Sequence, residues 1–177
     1  MAAVLVIFLF PKPTSPYQDL VPVDARGVFY FNQERLSASL KAMAESGYAW
    51  PPFVWLKDNW QKLSANNKLE IKQIAPLFEP QMALVWLPSS NGRLDWLLLV
   101  SKKVSDSVFE SVLSQTEKEL KQNYNPISEI YRQITITEIK SLSQNQPSIF
   151  YAQIKNYFLM TNDSDSLKGT IDKIIGR

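Results

Sequence analysis

The hydrophobic pattern divides the chain at once. Residues 1–10, MAAVLVIFLF, carry no charged or polar side chain and stop at Pro11-Lys12-Pro13-Thr14-Ser15-Pro16. A spanning helix needs roughly 20 apolar residues, and a secretory signal needs a basic start and a small-residue cleavage site. This run has half the spanning length, no Lys or Arg before it and no Ala-x-Ala-like site after it. The expectation is the outer half of a longer membrane anchor. A buried strand over Val4-Leu5-Val6-Ile7-Phe8 and a weak intact signal are the alternatives. Residues 11–24, with prolines at 11, 13, 16 and 22, read as a linker, and 25–177 as one domain.

Within that domain, Gly27-Val28-Phe29-Tyr30-Phe31 is β-branched and aromatic and predicts a strand. Asn32 can cap a helix over 33–46, with Leu36, Leu40 and Met43 at helical spacing and Gly47 after it. A second helix begins near Phe53, beyond Pro51-Pro52, and carries Trp60 and Leu63; a third covers 68–77, with Pro76 and Pro80 marking its end.

The strongest local signal is a hairpin. The apolar runs 82–87 and 94–100 flank Ser89-Ser90-Asn91-Gly92-Arg93, and Asn-Gly suits a two-residue turn with positive φ. That turn sets Trp86 opposite Leu97 and Leu87 opposite Trp96. Neither strand alternates, so both faces are apolar and the hairpin belongs in a doubly covered, central position. One cover must be helical; the other is more of this chain or a partner.

A long helix is predicted over 104–124, capped by Ser105 or Asp106, with Val108, Val112 and Leu113 on its apolar side. Glu117, Lys118, Glu119 and Lys121 mark its wet end. A strand over 130–139 and a polar loop over 141–148 follow. Residues 149–154 and 157–161 form a second hairpin about Lys155-Asn156. The last helix starts at Asn162 or Asp163 and carries Leu167, Ile171, Ile174 and Ile175 on one face. The fold class expected is α+β: a mostly antiparallel sheet of about five or six strands packed against helices, in the order β-α-α-α-β-β-α-β-β-β-α. The hairpin-then-helix unit occurs at 82–122 and again at 149–175, which suggests a loose internal duplication.

Composition narrows the chemistry. The 177 residues are 45% hydrophobic, enough for one core, and 19 basic against 17 acidic residues give a net charge of +2 without a basic run. That balance points away from nucleic acid. The chain has no cysteine and no histidine. Thiol chemistry, serine–histidine catalysis and two-histidine metal sites are thereby excluded. A eukaryotic secreted domain of this size more often carries disulfides, so a bacterial origin is favoured.

The phrase Leu20-Val21-Pro22-Val23-Asp24-Ala25-Arg26-Gly27-Val28-Phe29-Tyr30-Phe31 resembles the opening of a bacterial class, domain-of-unknown-function family 3352. The apolar hairpin at 82–100, the helix after Ser101-Lys102-Lys103 and the closing hairpin, Thr161-Asn162-Asp163 and amphipathic helix are similar to that family as well. The resemblance covers about residues 20–177 and only a first portion of the usually longer family members. It implies a membrane-anchored extracytoplasmic protein and carries over no catalytic residue.

Three features merit testing for chemistry. Asp163 and Asp165 sit as at the start of a calcium loop, but positions six and twelve from Asp163 are Lys168 and Ile174 where glycine and glutamate are needed. Helix capping accounts for both. Glu117 and Glu119, two apart on a helix, do not share a face and read as solvated. Asp95, beside Trp96, is either an acid with a raised pKa or an outward-pointing partner of Arg93.

The third feature is aromatic: Tyr48, Trp50, Phe53, Trp55 and Trp60 fall within thirteen residues. They form either a docking surface or the helical cover of the sheet, and Trp86 and Trp96 mark a candidate pocket or partner face. The function expected is a non-enzymatic, membrane-tethered interaction or scaffold domain in a bacterial periplasm or on a cell surface. It would bind a protein partner or itself and use no cofactor, metal or nucleic acid. The alternatives are a module holding a small apolar or lipid ligand and a carboxylate-based enzyme acting on glycans.

Overall fold

A computed structural model describes residues 15–32, 74–88, 95–120, 124–141 and 148–176. The apolar run 1–10 and the first two of the three expected helices lie outside the described residues; of the third, expected over 68–77, only 74–77 are described, and there Ala75–Leu77 form a 3-10 turn that runs straight into a strand at Phe78.

Among the described residues, seven strands form one antiparallel sheet: β1 (Gly27–Asn32), β2 (Phe78–Leu87), β3 (Asp95–Lys102), β4 (Tyr124–Tyr131), β5 (Ile134–Ser141), β6 (Ile149–Ile154) and β7 (Tyr157–Thr161). Their order is β1-β2-β3-β7-β6-β5-β4. The hairpin β2–β3 lies inside the sheet, between edge strand β1 and the middle strand β7, as its unbroken apolar runs require. Helix α1 (Asp106–Leu120) links β3 to the far edge, and helix α2 (Ser164–Ile175) follows β7.

The expected count of five or six strands is corrected to seven. The additional strand is β4. Residues 130–139, read as one strand, are two strands turning at Arg132-Gln133, where φ is 47° and 67° and Tyr131 opposes Ile134. Two consecutive positive φ values are the pattern of a type I′ hairpin turn, which ordinarily selects Asn and Gly. Arg132 is held there by an ion pair from its Nε to Asp172 at 2.7 Å, and the Tyr131 hydroxyl donates to the same carboxylate at 3.0 Å. β4 also shortens α1, which ends at Leu120 and not at 124. Phe109, not Val108, is the buried anchor of α1; Val108 is exposed.

The register of β2–β3 differs from expectation by one residue. Trp86 pairs with Trp96 and Leu87 with Asp95. The turn expected at Asn91-Gly92 lies outside the described residues. Pro88 immediately follows the strand, and without an N–H it cannot continue the ladder.

The two faces have separate cores. On one, α2 seals a cluster that includes Ala83, Val85, Leu97, Leu99, Ile136 and Leu159 with its own Leu167, Ile171 and Ile174. Ile175, expected on that stripe, is exposed, and Thr170 is buried there instead. Opposite α2, α1 packs Phe109 on Phe78 and Val100, with Met82, Leu98 and Phe158 adjoining. Both covers thus come from this chain. The expected duplication is not expressed. A two-fold axis normal to the sheet between β3 and β7 exchanges the two hairpins but keeps their helices on one face, and here they lie on opposite faces.

Residues 15–24, the described part of the expected linker, pack on the α2 face. Tyr17 and Leu20 are fully buried around the 3-10 turn η1 (Gln18–Leu20). The reason lies in a break in β2. Phe78 pairs with Lys102 and Met82 with Val100, so Glu79, Pro80 and Gln81 face only Ser101. The Tyr17 hydroxyl fills the gap: it accepts from Ser101 N at 2.9 Å and donates to Gln81 O at 2.8 Å.

Candidate functional site

Cross-strand pairing places one residue from every strand in a row across the α1 face: Phe29, Leu84, Leu98, Met160, Tyr151, Thr137 and Ser128. The row is apolar over β1, β2, β3 and β7 and hydroxylic over β6, β5 and β4. Its two ends offer different chemistry.

At the hydroxylic end, Ser128 Oγ lies 3.1 Å from Thr137 Oγ1, Thr137 bonds the Tyr151 hydroxyl, and that hydroxyl donates to Glu117 Oε1 of α1. Tyr151 and Thr137 are buried while Ser128 is exposed, so the chain of bonds runs from solvent to beneath the helix. Burial, and next the hydrogen bond given to Glu117, hold the Tyr151 phenol far above the usual tyrosine range. Glu117, expected to be solvated, is a half-buried acceptor that ties α1 to the sheet. Each of these four side chains is joined to the next by a hydrogen bond. Their arrangement binds protein to protein.

A second polar contact fastens the other end of α1. The Lys102 side chain is 1% exposed, its ammonium pairs with Asp106 and lies 5.6 Å from the centre of the Phe109 ring. A buried ammonium requires such partners, and the aromatic face supplements the carboxylate.

At the apolar end, Trp86 and Trp96 face each other across β2 and β3. Trp96 is 2% exposed, whereas Trp86 remains half-buried. Phe29 and Phe31 extend the same face onto β1, stacked with ring centres 5.8 Å apart. Of the expected partner face, Trp86 and Trp96 fall within the described residues; Phe29 and Phe31 are not part of that expectation. Tyr48, Trp50, Phe53, Trp55 and Trp60 lie outside the described residues.

The carboxylates expected to be candidates are separately engaged. Asp95 accepts from Asn162 Nδ2 at 3.1 Å, and Asn162 Oδ1 accepts from Trp96 N at 2.9 Å, which ties the start of β3 to the end of β7. Asp163 caps α2, accepting from Ser166 N at 2.9 Å, while Asp165 is exposed in the first turn. Cap and macrodipole account for the pair. Among the described residues, no group of three or more Asp or Glu side chains is placed to hold a metal ion.

Reading the sequence missed Tyr151, Thr137 and Tyr17. The alternation Tyr151-Ala152-Gln153-Ile154 does place Tyr151 opposite in sense to the buried Ala152 and Ile154, but nothing in it signals Glu117 across the helix. Among the described residues no helix is long and apolar enough to cross a membrane. Compared with protein-family models, curated proteins and solved structures, the chain matches none.

Proposed function

We propose that this protein is a non-enzymatic interaction or scaffold domain, held on the extracytoplasmic side of a membrane by its apolar N-terminal segment. It receives a protein partner on the aromatic strip of β1 and β2. The observation that carries this reading is Trp86. Its neighbour Trp96 is buried, yet Trp86 keeps part of its large apolar ring in solvent, on the same face as stacked Phe29 and Phe31. Tryptophan in such a setting supplies much contact area at little entropic cost and is enriched at interface hot spots.

The bonded state of Asp95, Asp163, Glu117 and Asp106 adds support, because carboxylates that hold strand ends and helices together are not poised as an acid–base pair. A ligand module is less favoured. Phe78, Phe109 and Phe158 meet one another with ring centres 5.5 Å apart and fill the space between sheet and α1.

The test is a photo-crosslinking residue in place of Trp86 in the full-length, membrane-associated chain, with exposed Val23 and Val108 as control positions. A protein adduct specific to position 86 is expected. Identical adducts at all three positions, or turnover of a glycan by the purified protein, would remove the proposal.

A further inference from the structure

We infer that α1 is a lid, docked by two polar latches and able to open while the rest of the sheet stays folded. This rests on how α1 is held and does not depend on the proposed function. Ser107, Val108, Ser111, Val112, Ser114 and Thr116, among others of its 15 residues, are weak helix formers. A helix of this length and composition is marginal alone, so tertiary contacts maintain it. Those contacts are few. Phe109 is its one fully buried described side chain, Val112 and Leu113 are half-buried, and Ser107, Val108, Glu110, Ser111, Ser114, Gln115 and Lys118 are exposed.

Polar bonds supply the remainder. Lys102 holds the first turn through Asp106, and Tyr151 holds the last described turn through Glu117. The two cores are also unequal. Among the described residues, four buried side chains form the α1 cluster and fourteen the α2 cluster, including all the α2 anchors. Lifting α1 therefore uncovers Phe78, Val100 and Phe158 but leaves the larger core sealed. Cooperative units of unequal stability within one domain follow from such partitioning.

Amide hydrogen exchange of the full-length protein under native conditions tests this, read by mass spectrometry over α1, β3 and β7. Amides of 109–118 should exchange at least about a hundredfold faster than those of 97–100 and 158–160, corrected for intrinsic rates. Tyr151→Phe, which removes one latch without changing the ring, should speed exchange in α1 about a further tenfold and leave β3 and β7 unchanged. Equal protection in α1 and β3 would overturn the inference. So would an acceleration by Tyr151→Phe spread evenly over helix and strands.

Discussion

Replacing Tyr17 by phenylalanine removes one oxygen, and that oxygen bridges the interruption of the β2–β3 pairing between Phe78 and Met82. The hydroxyl accepts from Ser101 N, and its single proton is directed at Gln81 O at 2.8 Å, with Ser101 Oγ at 3.1 Å as the other acceptor in reach. The two backbone partners fare differently once it is gone. Gln81 is exposed, so its carbonyl can recruit water, whereas Ser101 is buried and its N–H is stranded. A buried donor left unmade costs about 1–3 kcal/mol. Allowing a smaller loss at Gln81, Tyr17→Phe should destabilise by about 2–3 kcal/mol. With a urea slope of about 2 kcal/mol/M, the unfolding midpoint should fall by about 1–1.5 M at constant slope. Tyr30→Phe is the control, a half-buried tyrosine whose hydroxyl bonds the side chain of Ser15, and it should move the midpoint much less. A Tyr17→Phe midpoint within about 0.2 M of the parent protein would refute the bridging role.

Three further outcomes can be measured in the same way. Trp96→Ala, at a buried position, should cost about 3–5 kcal/mol in urea unfolding, and Trp86→Ala under about 2 kcal/mol because its ring is already part-solvated. Gln133→Gly relieves a left-handed residue, worth about 1–2 kcal/mol, against an added chain entropy of about 0.5–1 kcal/mol, so a small net gain in melting temperature is expected. Burial raises the phenol pKa of Tyr17, Tyr30, Tyr124 and Tyr151 above 10.0 in the folded state. The folded protein thus keeps protons that the unfolded chain has lost. Stability is unaffected below about pH 10 and falls as pH rises beyond it, and Tyr151→Phe should flatten that fall in a midpoint-versus-pH series.

What could be read from residues alone depended on whether one feature dominated locally. The hairpin β6–β7 lies over 149–154 and 157–161 as read, with Ile154 opposite Tyr157 and Lys155 at positive φ, because two apolar runs are separated by only two residues, Lys155 and Asn156. Asp163 caps α2 as one of the two positions foreseen, since a carboxylate before an apolar stripe has few other uses. β4 gave no such signal. Asn125, Ser128 and Glu129 are exposed, Pro126 interrupts, and even its apolar Ile130 is 80% exposed, so no face carries a period. An edge strand with proline and charge is guarded against further pairing, and the same guards conceal it from pattern reading. Tyr17 was concealed differently. Two prolines flank its stretch, and its partner at Ser101 is 84 residues away.

The one-residue difference in the β2–β3 register shows why the aromatic face could not be located from sequence. Register is ordinarily set by burial, because a slip of one residue carries every side chain to the wrong face. In these strands both faces are apolar, so either register satisfies the pattern and the turn residues decide. Asn91-Gly92 decided for Trp86 opposite Leu97 and Leu87 opposite Trp96, a pairing that sends the two tryptophans to opposite faces. In the structure they are partners on one face, Trp96 buried and Trp86 half in solvent. That same register aligns Phe29, Leu84 and Leu98 with Tyr151 and Ser128 across all seven strands. The proposed docking strip and the latch of α1 therefore share one surface because of a parity that composition leaves undetermined. A disulfide between cysteines placed at 86 and 96 should close readily in this register, whereas cysteines at 86 and 97 should stay reduced, since their side chains emerge from opposite faces.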